Sequence, residues 1–254
     1  MIGPLAYVGG KRRLAPQIVA LLPPHTTYVE PFAGGAQVFF HKPPSRVEVL
    51  NDLSDDVVNF LHICREHPRE LVRVLRYMIP SRVLFAQFAA QNPADLTDIQ
   101  RAARFFYLQK NAFGGLVTHR TYHYSVTKPP NFNPARLPGV IAATATRLRH
   151  VQLEHSSYER VLERYDRETT LFYLDPPYVG LRLYDVNFTD DDFQQLADRL
   201  GRLRGRFLLS INDCQAARRA CDQFQAIQLR IPYTASRSVP IAHELLLANF
   251  AIRA

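Results

Sequence analysis

The chain is poor in the residues that staple small or secreted folds. It has three cysteines in 254 residues, Cys64, Cys214 and Cys221, and no CxxC pair. An odd count fits no disulfide framework and points to a reducing, intracellular compartment. No apolar run approaches the roughly 18 residues of a membrane span. The opening residues, MIGPLAYVGGKRRLAP, lack the apolar stretch of a signal peptide. A soluble, cytoplasmic protein with no membrane partner is expected. The nine histidines form no HExxH and give no zinc spacing with the cysteines, so no metal is expected. His119 and His123 lie four apart, but in a proline-bounded loop they are expected to face solvent or phosphate. There is no GxSxG elbow. A phosphate loop at Gly10-Lys11 also fails, because Leu5 and Arg12 stand where the Walker pattern needs glycine and Ser/Thr. No internal repeat is found.

What is present is a globular balance. Hydrophobic residues make up 47% and charged residues 21%, too apolar for disorder and enough to bury a core in a chain of this length. Tyr28-Val29-Glu30-Pro31-Phe32 is a short apolar run that meets Ala33-Gly34-Gly35, and a helix is expected to start at Ala36. A second strand over 47–50 ends at Asn51-Asp52. Ser54 then reads as the cap of a helix with Asp55 and Asp56 in its first turn. Further strands are expected at 151–153, 171–174, 207–210, 226–231 and 244–250, with a helix capped by Thr189 running to Leu200. Strands alternating with helices predict a mostly parallel sheet.

Between 78 and 147 the texture changes. One periodic helix is expected near 97–109. A long aromatic and polar stretch, 113–138, follows, in which Pro129, Pro130, Pro134 and Pro138 break regular structure. The segment reads as an insertion between two halves of the α/β domain. It also concentrates charge: eight bases against two acids give it +6, whereas all the rest of the chain carries +2. Arginine supplies 27 of the 31 bases, which a biased base composition could produce, but such a bias would not gather them in one segment. Positive charge beside Phe113, Tyr122, Tyr124 and Phe132 suits a polyanion-binding surface, the alternative being a solvated basic face.

The strongest local signal is Leu171-Phe172-Tyr173-Leu174-Asp175-Pro176-Pro177-Tyr178. A buried strand ends in a carboxylate, two prolines and an aromatic. The prolines stiffen the tip and leave its carbonyls free to accept hydrogen bonds. Asp175 adds an acceptor and Tyr178 a stacking face, so the set suits a planar ring with an exocyclic NH2; a rigid turn without a ligand is the alternative. The 29–36 stretch is a weaker signal: a glycine turn that lets backbone approach a ligand, or an ordinary βα turn. Asp52, at the end of the next strand, is placed either to accept from ribose hydroxyls or to cap the following helix.

In combination these pieces resemble the Dam-type (alpha group) DNA adenine-N6 methyltransferases. The matching stretches are YVGGK at 7–11, VEPFAGGAQVF at 29–39, Asp52, FFYLQKNAFGGL at 105–116, LDPPY at 174–178, FLLSIND at 207–213 and HELLLANF at 243–250. They span nearly the whole chain in the family's order. The resemblance implies an α/β, Rossmann-like sheet of seven strands, the last antiparallel, with S-adenosyl-L-methionine (AdoMet) as cofactor. Residues 1–77 and 148–254 would form the AdoMet-binding catalytic domain, and 78–147 an inserted, mainly helical target-recognition domain. Tyr7, Lys11, Asp52 and Asp175 would contact AdoMet, with Glu30, Phe32, Gly34 and Gly35 in the turn beneath it. Ser156-Ser157-Tyr158 would border its adenine. Asp175, Pro176, Pro177 and Tyr178 would hold a flipped adenine. Arg101, Lys110, Arg120, Tyr122 and Lys128 would meet double-stranded DNA, and a cognate restriction endonuclease is a further candidate partner.

Three departures matter. Tyr7 stands where the family often has tryptophan, which keeps stacking with less area. Ala36 replaces a frequent glycine, which asks for a negative φ there. Thr118-His119-Arg120 gives no counterpart to the arginine of GATC readers, so that specificity is not carried over. Two other functions stay open: N-methylation of RNA or of a protein amide, and a catalytically degenerate DNA-binding protein.

Overall fold

The computed structural model describes residues 1–7, 9–180, 187–220, 222–231 and 242–252. Seven strands form one sheet: β1 (Thr27–Glu30), β2 (Val47–Asn51), β3 (Gln152–Glu154), β4 (Thr170–Leu174), β5 (Arg206–Asn212), β6 (Gln225–Ile231) and β7 (Ala242–Ala248). Their order is β3-β2-β1-β4-β5-β7-β6. Neighbours among β1 to β5 pair in parallel, while β7 runs antiparallel to both β5 and β6. The expected seven-stranded sheet with its last strand reversed is what the chain forms. From β1 the chain runs outward through β2 to β3 and then returns to β4 on the other side of β1. Such a switch opens a crevice at the carboxyl ends of the strands.

Every residue of β4 is buried. Leu171 and Tyr173 join one apolar cluster and Phe172 and Leu174 the other, as side chains alternating across a strand must when both faces are covered. Seven helices contribute to the first cluster: α1 (Ala15–Ala20), α2 (Gln37–His41), α3 (Asp55–Glu66), α4 (Pro68–Leu75), α5 (Arg82–Ala90), α6 (Asp98–Asn111) and α7 (Leu137–Leu148). The second is covered by α8 (Tyr158–Tyr165), α9 (Asp190–Leu200) and α10 (Gln215–Ala220). Phe85, Phe106, Phe132 and Ile141, from the basic segment, lie in the same cluster as Phe60, Leu61 and Cys64 of α3. Phe60 stacks on Phe106 at 5.5 Å and 11°. The segment is thus packed against α3 over a shared core.

Local chemistry explains where several helices begin. Thr97 with Gln100 closes a capping box on α6, and Thr189 with Asp192 does the same on α9. Ser54 precedes α3 but its side chain makes no cap bond. Pro138 does not break structure as expected: it lies in the first turn of α7, where a missing N–H costs nothing. Ala36 also departs from expectation, with φ +47 and ψ +38 rather than a negative φ. To enter α2 directly from the glycine turn the chain needs left-handed residues at both Gly34 (φ +46) and Ala36. The alanine carries strain of about 1–2 kcal/mol and is held by burial (2% exposed).

Candidate active site

One cavity of about 600 Å³ opens where β1, β2, β3 and β4 end. Asn51 fastens three of those ends. Its amide donates to the Pro31 and Ser156 carbonyls at 2.8 and 2.9 Å and accepts from Ser156 N at 2.9 Å. Asp52, the next residue, accepts from Gly34 N at 2.7 Å and Ser54 N at 2.8 Å. It therefore ties the glycine turn to the entry of α3 while lining the cavity. Burial pushes its carboxyl upward against those backbone N–H groups.

The N-terminal arm forms another wall. Gln37 donates to Leu5 O at 2.9 Å, and Gln109 donates to Ala6 O at 3.1 Å. Between them Tyr7 lies over the glycine turn: a Cβ on Gly34 would meet its ring at 3.2 Å. Gly115 (φ +69) backs the arm from the other side, and a Cβ there would sit 3.0 Å from the Tyr7 backbone. Glu30 reaches the cavity but spends one oxygen on Tyr28 OH (2.6 Å) and Phe39 N (2.8 Å), fixing the start of α2. Burial raises its carboxyl to about 8. Phe32, Tyr158 and Phe188 pack together with ring centroids 5.3–6.0 Å apart and give the cavity an aromatic end.

At the tip of β4 the arm delivers a cation. Lys11, 3% exposed, donates to Asp175 Oδ1 at 2.5 Å, the Tyr178 hydroxyl at 3.1 Å and Gly9 O at 3.1 Å. It also lies 3.2 Å from Glu244 Oε1. Having accepted from Lys11, the Tyr178 hydroxyl donates its own proton to Glu244 Oε2 at 2.8 Å. Ser210 Oγ donates to Glu244 Oε1. Burial works to depress the Lys11 ammonium, but the charges of Asp175 and Glu244 outweigh it and hold it well above an ordinary lysine. For Asp175, burial raises the carboxyl, Lys11 lowers it and Glu244 raises it, leaving it at about 6. Its side chain stays 22% exposed. Among the described residues nothing bonds to Oδ2 or to the Pro176 carbonyl. The tip thus presents two acceptors on a rigid frame, next to an aromatic ring.

The model for D12 class N6 adenine-specific DNA methyltransferases matches residues 7–233. The chain belongs to this family. The Type II methyltransferase M1.LlaDCHI of Lactococcus lactis subsp. cremoris is 24% identical over 69% of this chain and 65% of its own length. The DNA adenine methylase of Escherichia coli K12 is 27% identical over 73% of this chain and 67% of that protein. The DNA adenine methylase of Vibrio cholerae serotype O1 is 26% identical over 92% and 90%. The matched regions thus span about two thirds of the first two relatives and nearly all of the third.

The residues present fit the cofactor of D12 methyltransferases, AdoMet. The cavity is of small-molecule size, an acid follows β2 with lone pairs left for ribose hydroxyls, and the glycine turn has no side chains to fill it. Tyr173 also lines this cavity, and its buried hydroxyl has no hydrogen-bond partner among the described residues; such an orphan donor suits a site that a polar ligand completes.

The residues expected at the site come together unevenly. Tyr7, Lys11, Glu30, Phe32, Gly34, Gly35, Asp52, Asp175 and Pro177 line the one cavity. Pro176 is buried and Tyr178 is held by Lys11 and Glu244. The basic residues are scattered. Arg101 is also on the cavity wall, with its guanidinium committed to Asp55 at 2.6 Å and Asp56 at 2.7 Å, a different setting from the DNA surface expected for it. Lys110 lies 5.4 Å over the Phe106 ring, where burial and Arg12 bring its ammonium down to about 8. Arg120 donates to Gln109, Tyr122 sits beside the Arg82 guanidinium, and Lys128 is exposed. Sequence reasoning missed Glu244, Asn51 as a fastener, Gln109 and Phe188. Glu244 lay within the quoted HELLLANF, a polar residue opening an apolar strand, and that was its one signal.

Among the described residues no helix is long and apolar enough to cross a membrane.

Proposed function

We propose that this protein methylates the N6 amino group of adenine in double-stranded DNA, with Asp175, Pro176, Pro177 and Tyr178 holding a base turned out of the helix. AdoMet, when bound, supplies the electrophilic methyl group. Tyr7, Lys11, Glu30, Phe32, Gly34, Gly35, Asp52 and Asp175 hold it, Tyr7 closing over the glycine turn and Asp52 accepting from ribose. The N6 lone pair of adenine is delocalised into the ring and is a poor nucleophile. Asp175 Oδ2 and the Pro176 carbonyl accept its two hydrogens, favour a pyramidal nitrogen and fix where it points. The Tyr178 ring offsets part of the unstacking cost. Because Lys11 occupies Asp175 Oδ1 and leaves Oδ2 open, the carboxylate can serve the base without losing its counter-charge. That single arrangement carries the assignment.

Residues 78–147 serve as the target-recognition part, between catalytic portions 1–77 and 148–254. Lys128, Arg120 and Tyr122 in the stretch after α6, with Lys110 in the last turn of α6, face DNA; Arg101 is left out because its charge is already paired. The work is done in the cytoplasm. The Lactococcus relative is named a Type II methyltransferase, which makes a cognate restriction endonuclease a partner to look for beside this protein.

The test is incubation with labelled AdoMet and a mixture of DNA, RNA and protein. Label is expected on DNA adenine N6 and is expected to vanish in Asp175→Ala. Label on RNA or protein would replace the substrate, and DNA bound without transfer would make the protein a degenerate binder.

A further inference from the structure

The Lys11–Asp175 pair does not stand alone: it is shared with a second buried carboxylate that reaches in from the reversed strand β7, between β5 and β6. Glu244, 1% exposed, is the third residue of β7 and pairs across the antiparallel ladder with Asn212. We propose that Glu244 is a positioning residue for the methyl-accepting site: it fixes the Tyr178 hydroxyl and shares the Lys11 ammonium, so that Lys11 engages Asp175 through one oxygen and leaves the other to the base. This rests on the assignment of Asp175–Tyr178 to the target adenine.

Lys11 has three protons and meets four acceptors: Gly9 O, Asp175 Oδ1, the Tyr178 hydroxyl and Glu244 Oε1. The hydroxyl accepts from Lys11, so its own proton must leave in another direction, and Glu244 Oε2 takes it at 2.8 Å. Ser210 on β5 donates to Glu244 Oε1 and sets the carboxylate's angle. Take Glu244 away and the Tyr178 and Ser210 hydroxyls lose the acceptor of their protons. Lys11 also loses its second carboxylate, so its charge falls on Asp175, whose other oxygen the base needs. The charged and titratable groups facing Asp175 are Lys11 from the arm, Glu244 from β7, Tyr173 on its own strand, Tyr178 just beyond it and Glu30 from β1. Of these, Glu244 is the like charge that raises the Asp175 carboxyl most directly.

Glu244→Gln keeps an acceptor for the hydroxyl and removes the charge. Single-turnover transfer to DNA is expected to slow roughly tenfold to a hundredfold, with AdoMet and DNA dissociation constants within about twofold. Loss of the like charge should also move the acid limb of the rate, and the Asp175 carboxyl followed by carbon-13 NMR, roughly half to one pH unit lower. A partner that only supports the fold would lower thermal stability and activity together and leave both titrations where they were; that outcome, or a wild-type rate, overturns the inference. The NMR titration reads the cluster whether or not transfer occurs, so a wild-type protein without activity would count against the substrate and not against Glu244. If Glu244→Gln does not fold, Tyr178→Phe removes only the hydroxyl that Glu244 holds. It should slow transfer at least roughly fivefold with the base still bound, and an unchanged rate would overturn the proposal.

Discussion

Lys11→Met removes a buried ammonium while keeping most of its apolar stem, and leaves Asp175 and Glu244 facing each other without their cation. The ammonium lies 2.5 Å from one carboxylate and 3.2 Å from the other. Removing one member of so buried a cluster costs about 3–5 kcal/mol, and in a domain of this size each kcal/mol is worth about 2–4 °C in Tm. A fall of roughly 6–20 °C is therefore expected at about pH 8. The loss must shrink in acid. Asp175 titrates near 6 in the folded protein, above its ordinary value of 3.8, so folding takes up a proton and this group's contribution to stability improves as pH falls between those two values. Without Lys11 its folded value rises further, and the carboxyl relieves the repulsion by protonating sooner. Thermal unfolding at about pH 8 and about pH 5 measures both ends. An equal deficit at the two pH values would show that the ammonium does not neutralise this carboxylate pair, and the electrostatic account of the site would fail. Methyl transfer should lose its acid limb to higher pH in the same variant.

Other residues give independent checks. Tyr173→Phe deletes a buried hydroxyl that has no partner among the described residues and should raise the Tm of the free protein, by the equivalent of about 1 kcal/mol, while weakening AdoMet binding in calorimetry; a lower Tm would mean that the hydroxyl is satisfied. At Ala36, where φ is +47, glycine should leave Tm nearly unchanged, strain relief offsetting chain entropy. Valine there should lower it by at least 2–3 °C, since a β-branched residue is an outlier at positive φ. Lys128→Ala should weaken DNA binding and reduce the slope of log affinity against log salt by about one. Arg101→Ala should leave that slope alone and loosen the contact between α3 and α6, read as a lower Tm; a flattened slope in Arg101→Ala would return it to the DNA surface.

The sequence by itself determined the strands, because short apolar runs bounded by turn residues have few other uses, and all seven strands form where such runs occur. It also placed Asp175 at a strand tip and Thr189 at a helix start, since caps and proline-stiffened turns are local chemistry, although Ser54, read the same way, makes no cap bond. Pro138 and Ala36 show the limit of local rules: whether a proline breaks or begins a helix, and whether an alanine accepts a left-handed φ, is decided by where the chain must go next. Which charges meet depends on how the helices and strands pack. Arg101 turned from solvent to Asp55 and Asp56 because α6 lies against α3. Glu244 met Tyr178 from 66 residues away because β7 reverses and pairs with β5 in a register that sets it beside Asn212. Hydrogen bonds and ion pairs act over a few ångströms, and it is the register of the sheet, not spacing along the chain, that brings such groups within that range.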